Sequence, residues 1–457
     1  MKLNRHINNM RIILKLFLFS LVLTIISCSG STEAQTALIK GKITVADSID
    51  TSGNYSGISV TVIQQKSDTG DIDTLYYALT GSDGGFQGTI EFEETARYSA
   101  ILGRNGRNFG ILQLLVAPGD TITVTGELPS LDEFEIDSRE ERAMRVYDRV
   151  SNSFARVAAF INAGRIPEED INGELRKFSD LFWDIKNNQP GTVAAELSAN
   201  EAFRLLQGWD DARMMSLINE GLPDEGVLKS ALIYGKNYQA NTYGLDAAVK
   251  YLDSLGTLTS NKSLQSVIGQ LQVKILADSS EVDKALEYLA EYKASHIGDV
   301  EAQQWVEKMD FDLNNLSEGK PAPSYSFTLE DGSQISTVSP NGKPRLIEIA
   351  PLTNIEYQQQ YERVKALFLV YQLYGVEFYT LPLDRNQVTI DAFFEERGKL
   401  WPIAQMEGFS REELVEKYNL SIVPAWILID KDGNMIGKYE GNDFENLTTG
   451  LNKVANN

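Results

Sequence analysis

The side chains that carry most redox, nucleophilic and metal chemistry near neutral pH are nearly missing from this sequence. Its 457 residues include one cysteine, Cys28, and two histidines, His6 and His296. A single thiol excludes an internal disulfide, a cysteine-rich zinc site and a Cys-X-X-Cys redox pair. A hydroxyl nucleophile such as Thr353 needs a general base, and nothing in the spacing brings His296 to it. His296 reads as a surface or helix-end residue. Asp430-Lys431-Asp432-Gly433-Asn434 begins like a calcium loop but lacks the terminal glutamate, so it reads as a hairpin turn. Phosphate loops, serine-hydrolase elbows and histidine clusters do not occur; no metal and no cofactor is expected. Pro424, at the entry of an apolar strand, is either a plain strand-entry proline or a cis proline with free backbone groups beside it.

Charge narrows the partners. Formal net charge is −22; the first 27 residues carry Lys2, Arg5, Arg11 and Lys15 with no acid, which leaves 38 basic against 64 acidic residues in the rest. A body that acidic repels phosphate backbones and anionic headgroups, so nucleic acid is not an expected partner. Membrane attachment must then come from a hydrophobic segment or a covalent lipid. Leu16 to Ile26 is apolar but short for a membrane span, and it ends in Ile25-Ile26-Ser27-Cys28. That ending resembles the lipobox of bacterial lipoproteins, in which cleavage precedes an acylated cysteine. The resemblance implies a signal peptide over 1–27, a lipid on Cys28 that holds the protein to the membrane, and a polar tether over 28–37. It also implies a place in the cell envelope, periplasmic or surface-facing; Ser29 is compatible with outer-membrane sorting.

The elements behind these residues fall into three regions. With 42% hydrophobic and 23% charged residues the chain can bury real cores. Over 38–130, short alternating strands (38–45, 57–64, 73–79, 111–116, 121–125) separated by Gly and Asp turns predict an all-β sandwich. Over 138–315 helical spacing takes over, with nine candidate helices. Asp246–Leu252 echoes Asp283–Leu289, 37 residues later, which leaves a helical-hairpin repeat open beside an irregular bundle. Glu318-Gly319-Lys320-Pro321-Ala322-Pro323 marks a boundary. Over 318–457, buried strands at 345–350, 376–381 and 422–430 alternate with helices, which predicts an α/β mixed sheet covered on both faces.

Within that last region, three pieces stand in a telling order: Lys320-Pro321-Ala322-Pro323 before the Phe327 strand, Val423-Pro424-Ala425-Trp426 through Gly433, and Tyr439-Glu440-Gly441. Together they resemble the secreted thioredoxin-like families, TlpA/ResA-like and AhpC/TSA-related. Residues 38–127 resemble the β domain that precedes such modules in secreted lipoproteins. The resemblance implies a thioredoxin-like fold and a groove for extended polypeptide at Leu352, Asn354, Val423, Pro424 and Ala425. The family places Trp-Cys-X-X-Cys between the first buried strand and its helix, where a low-pKa thiolate attacks disulfides. This chain has Ala350-Pro351-Leu352-Thr353-Asn354-Ile355-Glu356 there, with Thr353 and Glu356 within one residue of the cysteine positions. The family's buried acid falls near Ile347 or Glu348; Glu348 is either that acid or a salt-bridged residue in a shifted register. One function consistent with this is a redox-inactive envelope module, not an enzyme, that binds or scaffolds an envelope protein or extended peptide. The alternative is thiol-disulfide oxidoreductase or peroxiredoxin-like chemistry, which needs cysteines the sequence lacks. An unrelated activity of the helical region is a third reading that no residue selects.

Overall fold

A computed structural model describes residues 35–65 and 72–456, apart from the side chain of Glu356. The expected signal peptide, Cys28 and tether residues 28–34 lie outside the described residues. The chain gathers into two compact units: one runs up to Thr242 and includes Ser254–Ser263, and the other holds Tyr243–Asp253 and the chain from Leu264.

The first unit begins with strands β1 (Gln35–Val45), β2 (Ile58–Gln65), β3 (Ile72–Leu79), β4 (Gly85–Phe92), β5 (Ala96–Arg104), β6 (Arg107–Val116), β7 (Thr121–Leu128) and β8 (Glu135–Asp137). They form two four-stranded sheets, ordered β4-β1-β7-β8 and β3-β2-β5-β6. Alternate residues of each strand point inward, and Ile39, Ile43, Ile122 and Val124 of one sheet share a core with Val60, Val62, Leu102 and Leu114 of the other. This is a sandwich. It starts at Gln35 rather than residue 38, because Gln35–Ala37 pair with β4. Six helices follow: α1 (Arg139–Asn162), α2 (Glu168–Asn188), α3 (Val193–Leu206), α4 (Asp211–Gly221), α5 (Glu225–Ala231) and α6 (Tyr234–Tyr243). Ser138 starts α1 by accepting the Glu141 N–H at 3.1 Å. Glu141 in turn accepts the Leu115 N–H and an Arg97 N–H, which fastens the helix to the sheet.

Four helices come next: α7 (Leu245–Gly256), α8 (Lys262–Asp278), α9 (Val282–Ser295) and α10 (Val300–Phe311), the last running into a π-helical turn at Asp312–Leu316. The helical segment 138–315, read from sequence as one region, is thus divided between the two units. The reason is a separate core: Val249, Val273, Leu289 and Val306 pack together. Polar ties join the π turn to the C-terminal region. Lys438 pairs with Asp312 at 2.7 Å, and the Asn419 amide donates to Asp312 at 2.8 Å.

The C-terminal region holds a short hairpin, β9 (Ser326–Thr328) and β10 (Gln334–Ser336). It continues with β11 (Arg345–Ala350), α11 (Ile355–Tyr371), β12 (Glu377–Pro382), α12 (Gln387–Arg397), α13 (Arg411–Lys417), β13 (Ala425–Ile429), β14 (Met435–Glu440) and α14 (Phe444–Asn456). The sheet order is β12-β11-β13-β14, with β11 and β12 parallel and the other pairs antiparallel. Every residue of β11 and β13 is buried, as expected of central strands covered on both faces. Leu346, Trp426 and Leu428 pack with Tyr357 of α11 and Leu447 of α14. Ile347, Ile427 and Ile429 pack on the opposite face with Leu414 and Tyr418.

Candidate functional site

Strand register decides which side chains meet. On β11, Glu348 lies opposite Thr380 of β12 and Trp426 of β13. Both neighbours donate to its carboxyl group, Thr380 Oγ1 to Oε2 at 2.6 Å and Trp426 Nε1 to Oε1 at 3.3 Å. Trp401 Nε1 extends the chain by donating to Thr380 Oγ1 at 2.7 Å. The Tyr357 hydroxyl lies close enough to help hold Glu348 ionised, without a hydrogen bond of regular geometry. Glu348 is 2% exposed. Burial penalises its ionised form and pushes its pKa up to about 7, against the lowering effect of those donors. The salt bridge on this strand belongs instead to Arg345, which meets Glu377 at 3.0 Å. Glu348 is thus buried and hydrogen-bonded, with no salt bridge among the described residues.

The loop after β11 meets a second carboxylate. Ala350 pairs with Pro382, so parallel β11 and β12 end at the same sheet edge and the residues just beyond them are neighbours. Asp384 stands there, 8% exposed. Its carboxylate accepts the Leu352 N–H at 2.6 Å, the Thr353 N–H at 3.1 Å and the Thr353 hydroxyl at 2.7 Å. Asn354 then starts α11 by accepting the Tyr357 N–H at 3.1 Å, while the Gln358 amide donates to the Leu352 carbonyl at 2.9 Å. The polar groups of the loop are therefore turned onto one another. Arg411 supports Asp384 from behind, donating to its main-chain carbonyl at 2.9 Å.

The opposite wall is the turn into β13. Ala425 pairs with Ile349, which sets Pro424 beside Ala350 and the start of the loop. The Val423–Pro424 bond is cis. The Ser421 and Ile422 N–H groups are taken by Glu440, at 2.7 and 3.3 Å. Val423 is 36% exposed, and its backbone makes no main-chain hydrogen bond among the described residues. Ile355 and Ile422 are exposed as well. Of the proposed groove residues, Asn354 and Val423 reach the surface, as does Thr353 at the first cysteine position, whereas Leu352 and Ala425 are fully buried core residues and Pro424 is buried as well. Leu352 thus contributes its backbone, not its side chain. The Glu356 side chain lies outside the described residues.

Other sequence expectations find ordinary structural roles. His296 ends α9, stacked on Tyr292 with ring centroids 4.1 Å apart. Asp430 Oδ1 accepts the Asp432 and Asn434 N–H groups at 2.9 and 2.8 Å, which closes the hairpin turn. Among the described residues no group of three or more His, Cys, Asp or Glu side chains is placed to hold a metal ion. None of their helices is long and apolar enough to cross a membrane. Asp384, Thr380 and Trp401 were not singled out from sequence. For Asp384 a signal existed: an acid directly after a buried strand parallel to the loop-bearing one.

No family model matches the chain. The thiol-disulfide oxidoreductase ResA of Bacillus thuringiensis (strain Al Hakam) is 23% identical over 145 residues, 32% of this chain and 82% of that protein. ResA of Bacillus cereus (strain ATCC 10987 / NRS 248) is 26% identical over 138 residues, 30% of this chain and 78% of its own. The fold of the C-terminal region is thioredoxin-like. Among solved structures, the thioredoxin domain of a thiol-disulfide oxidoreductase from Bacteroides vulgatus matches with 20% identity and a TM-score of 0.27, over 31% of this chain and 99% of that one. In the thioredoxin-like domain of this chain, the loop after β11 carries Leu352, Thr353 and Asn354, and no cysteine follows Cys28.

Proposed function

We propose that the thioredoxin-like domain binds an extended polypeptide without performing thiol chemistry, within a protein held to the cell envelope by a lipid on Cys28. The observation that carries this reading is the loop at 351–354. Hydroxyl and amide groups stand between β11 and α11, clamped by Asp384, and no sulfur is present to carry electrons. A threonine hydroxyl is scarcely ionised near neutral pH and has no disulfide-like oxidised form, so the exchange of the oxidoreductases has no counterpart. The reading is supported by the exposed apolar residues Ile355, Ile422 and Val423 and by the Val423 main chain, which is unpaired among the described residues and suits pairing with an extended chain.

Two experiments test the parts separately. A photo-crosslinking residue at Val423, in cells, should trap a defined polypeptide, while the same residue at exposed Leu373 should not; equal or absent labelling overturns the binding role. Mass spectrometry of the membrane-extracted protein should find acyl chains on Cys28, and an unmodified N-terminus ahead of Cys28 overturns the anchor.

A further inference from the structure

Helix α1 has 24 residues, with five arginines and no lysine, in a chain whose acids outnumber its bases by 64 to 42. Arg142, Arg149 and Arg156 recur every seven residues, and Arg145 falls between the first two. At about 100° per residue the four project within an arc of about 60°, and each seven-residue step rises about 10 Å along the axis. All four are exposed. The result is a ladder of guanidinium groups with a regular step.

The acids nearest in sequence cancel it only in part: exposed Asp148 flanks Arg142, Arg145 and Arg149 but forms no ion pair with them among the described residues. Glu140 projects from the opposite side of the helix and Glu141 lies one turn before Arg145, but both are buried and accept the Val193 N–H and the Leu115 N–H. Asp137 pairs with Arg142 and Arg145. Arg149 and Arg156 have no carboxylate partner among the described residues. Arg149 Nε donates to the Arg145 carbonyl at 3.3 Å, and Arg156 to the Ser153 hydroxyl at 3.1 Å. These contacts lay both side chains along the helix and leave most of their N–H groups facing water. One turn further on, Phe160 is 47% exposed, with the Arg165 guanidinium 5.7 Å from its ring centre.

We propose that this face of α1 binds an extended acidic glycan. Guanidinium forks match carboxylate and sulfate groups two atoms at a time. A narrow polymer touches the ladder alone, whereas a membrane surface or a duplex would press further phosphates against the acidic remainder of the protein. A half-exposed ring at the end of the ladder offers a sugar an apolar face to stack on.

The test uses the full chain with two glycan probes, heparin for sulfate and polygalacturonate for carboxylate, beside polyglutamate and anionic vesicles. At least one glycan should bind, and its affinity should fall about tenfold or more between about 50 and about 200 mM salt. The probe that binds identifies the acid group. Arg149→Gln with Arg156→Gln should weaken that binding about tenfold while circular dichroism stays unchanged. Absence of binding to both glycans at the lower salt overturns the proposal. So does binding that the double substitution leaves intact, or polyglutamate or vesicles bound as tightly as either glycan.

Discussion

Beneath α11 and in front of it, the thioredoxin-like domain treats two carboxyl groups in different ways. Glu348 lies inside the sheet, and its donors come from strand neighbours fixed by register, Thr380 and Trp426. Asp384 lies at the sheet edge, and its donors come from a loop, two N–H groups and the Thr353 hydroxyl. The inner group is poised near neutrality, in surroundings suited to tuning a proton. The outer group holds the very amides that stand near the start of α11, where an anion such as a thiolate would otherwise find them. The interior holds a carboxyl group in a buried, hydrogen-bonded setting, while the loop is a closed turn.

The comparison can be broken most forcefully from the inside. Trp426 is fully buried, lies 4.9 Å from the Phe444 ring, and donates to Glu348. Trp426→Ala should cost about 3–5 kcal/mol in urea unfolding; a loss below about 1 kcal/mol would mean the interior is not the rigid half.

Sensitivity to rising pH gives a second, somewhat smaller handle. The folded protein keeps the Glu348 proton up to about pH 7, while the unfolded chain releases it near the ordinary value of 4.5. The folded state therefore binds the extra proton between those values. The Glu348 contribution is complete below about pH 4.5 and is lost as pH rises through about 7, by roughly 3 kcal/mol in all. Glu348→Gln should flatten that slope, and a variant whose stability still tracks pH as the parent does would refute the assignment.

Loosening the loop should cost less. Asp384→Ala leaves the buried Leu352 N–H without its acceptor and should cost about 2 kcal/mol. Hydrogen exchange should quicken at Leu352 and Thr353 but not in β11; protection unchanged at both amides would show that the clamp is idle. The smallest effect belongs to Thr353→Val, which removes one part-buried hydroxyl bond. About 1 kcal/mol or less is expected, with Leu352 exchange unaltered.

Much of this architecture was legible in the sequence because buried strands and turns announce themselves locally. The apolar run at 345–350, the Asp430 turn and the Pro424 strand entry fall where pattern puts them, while the strand expected over 422–430 forms only at Ala425–Ile429, because 422–424 bend into the cis proline turn. Helix α6 escaped notice because the apolar residues of Tyr234–Tyr243 do not line up along one face, so no apolar stripe marks it. Strand β5 escaped because its inward positions include the small Ala100 and it ends through Gly103. The Asp384 clamp was harder still. It depends on two strand ends meeting at one edge, a relation that exists only after β11 and β12 are paired in parallel. The division of the helices between two units likewise rests on a core assembled from residues far apart in sequence, Val249 with Val273, Leu289 and Val306, that no local pattern reveals.

Turnover of a protein disulfide probes the missing sulfur most directly. Purified full chain, supplied with dithiothreitol and insulin, should precipitate insulin no faster than buffer does. Catalysed reduction above that background, retained after Cys28→Ser, would show that electrons pass through this domain by a route its side chains do not provide.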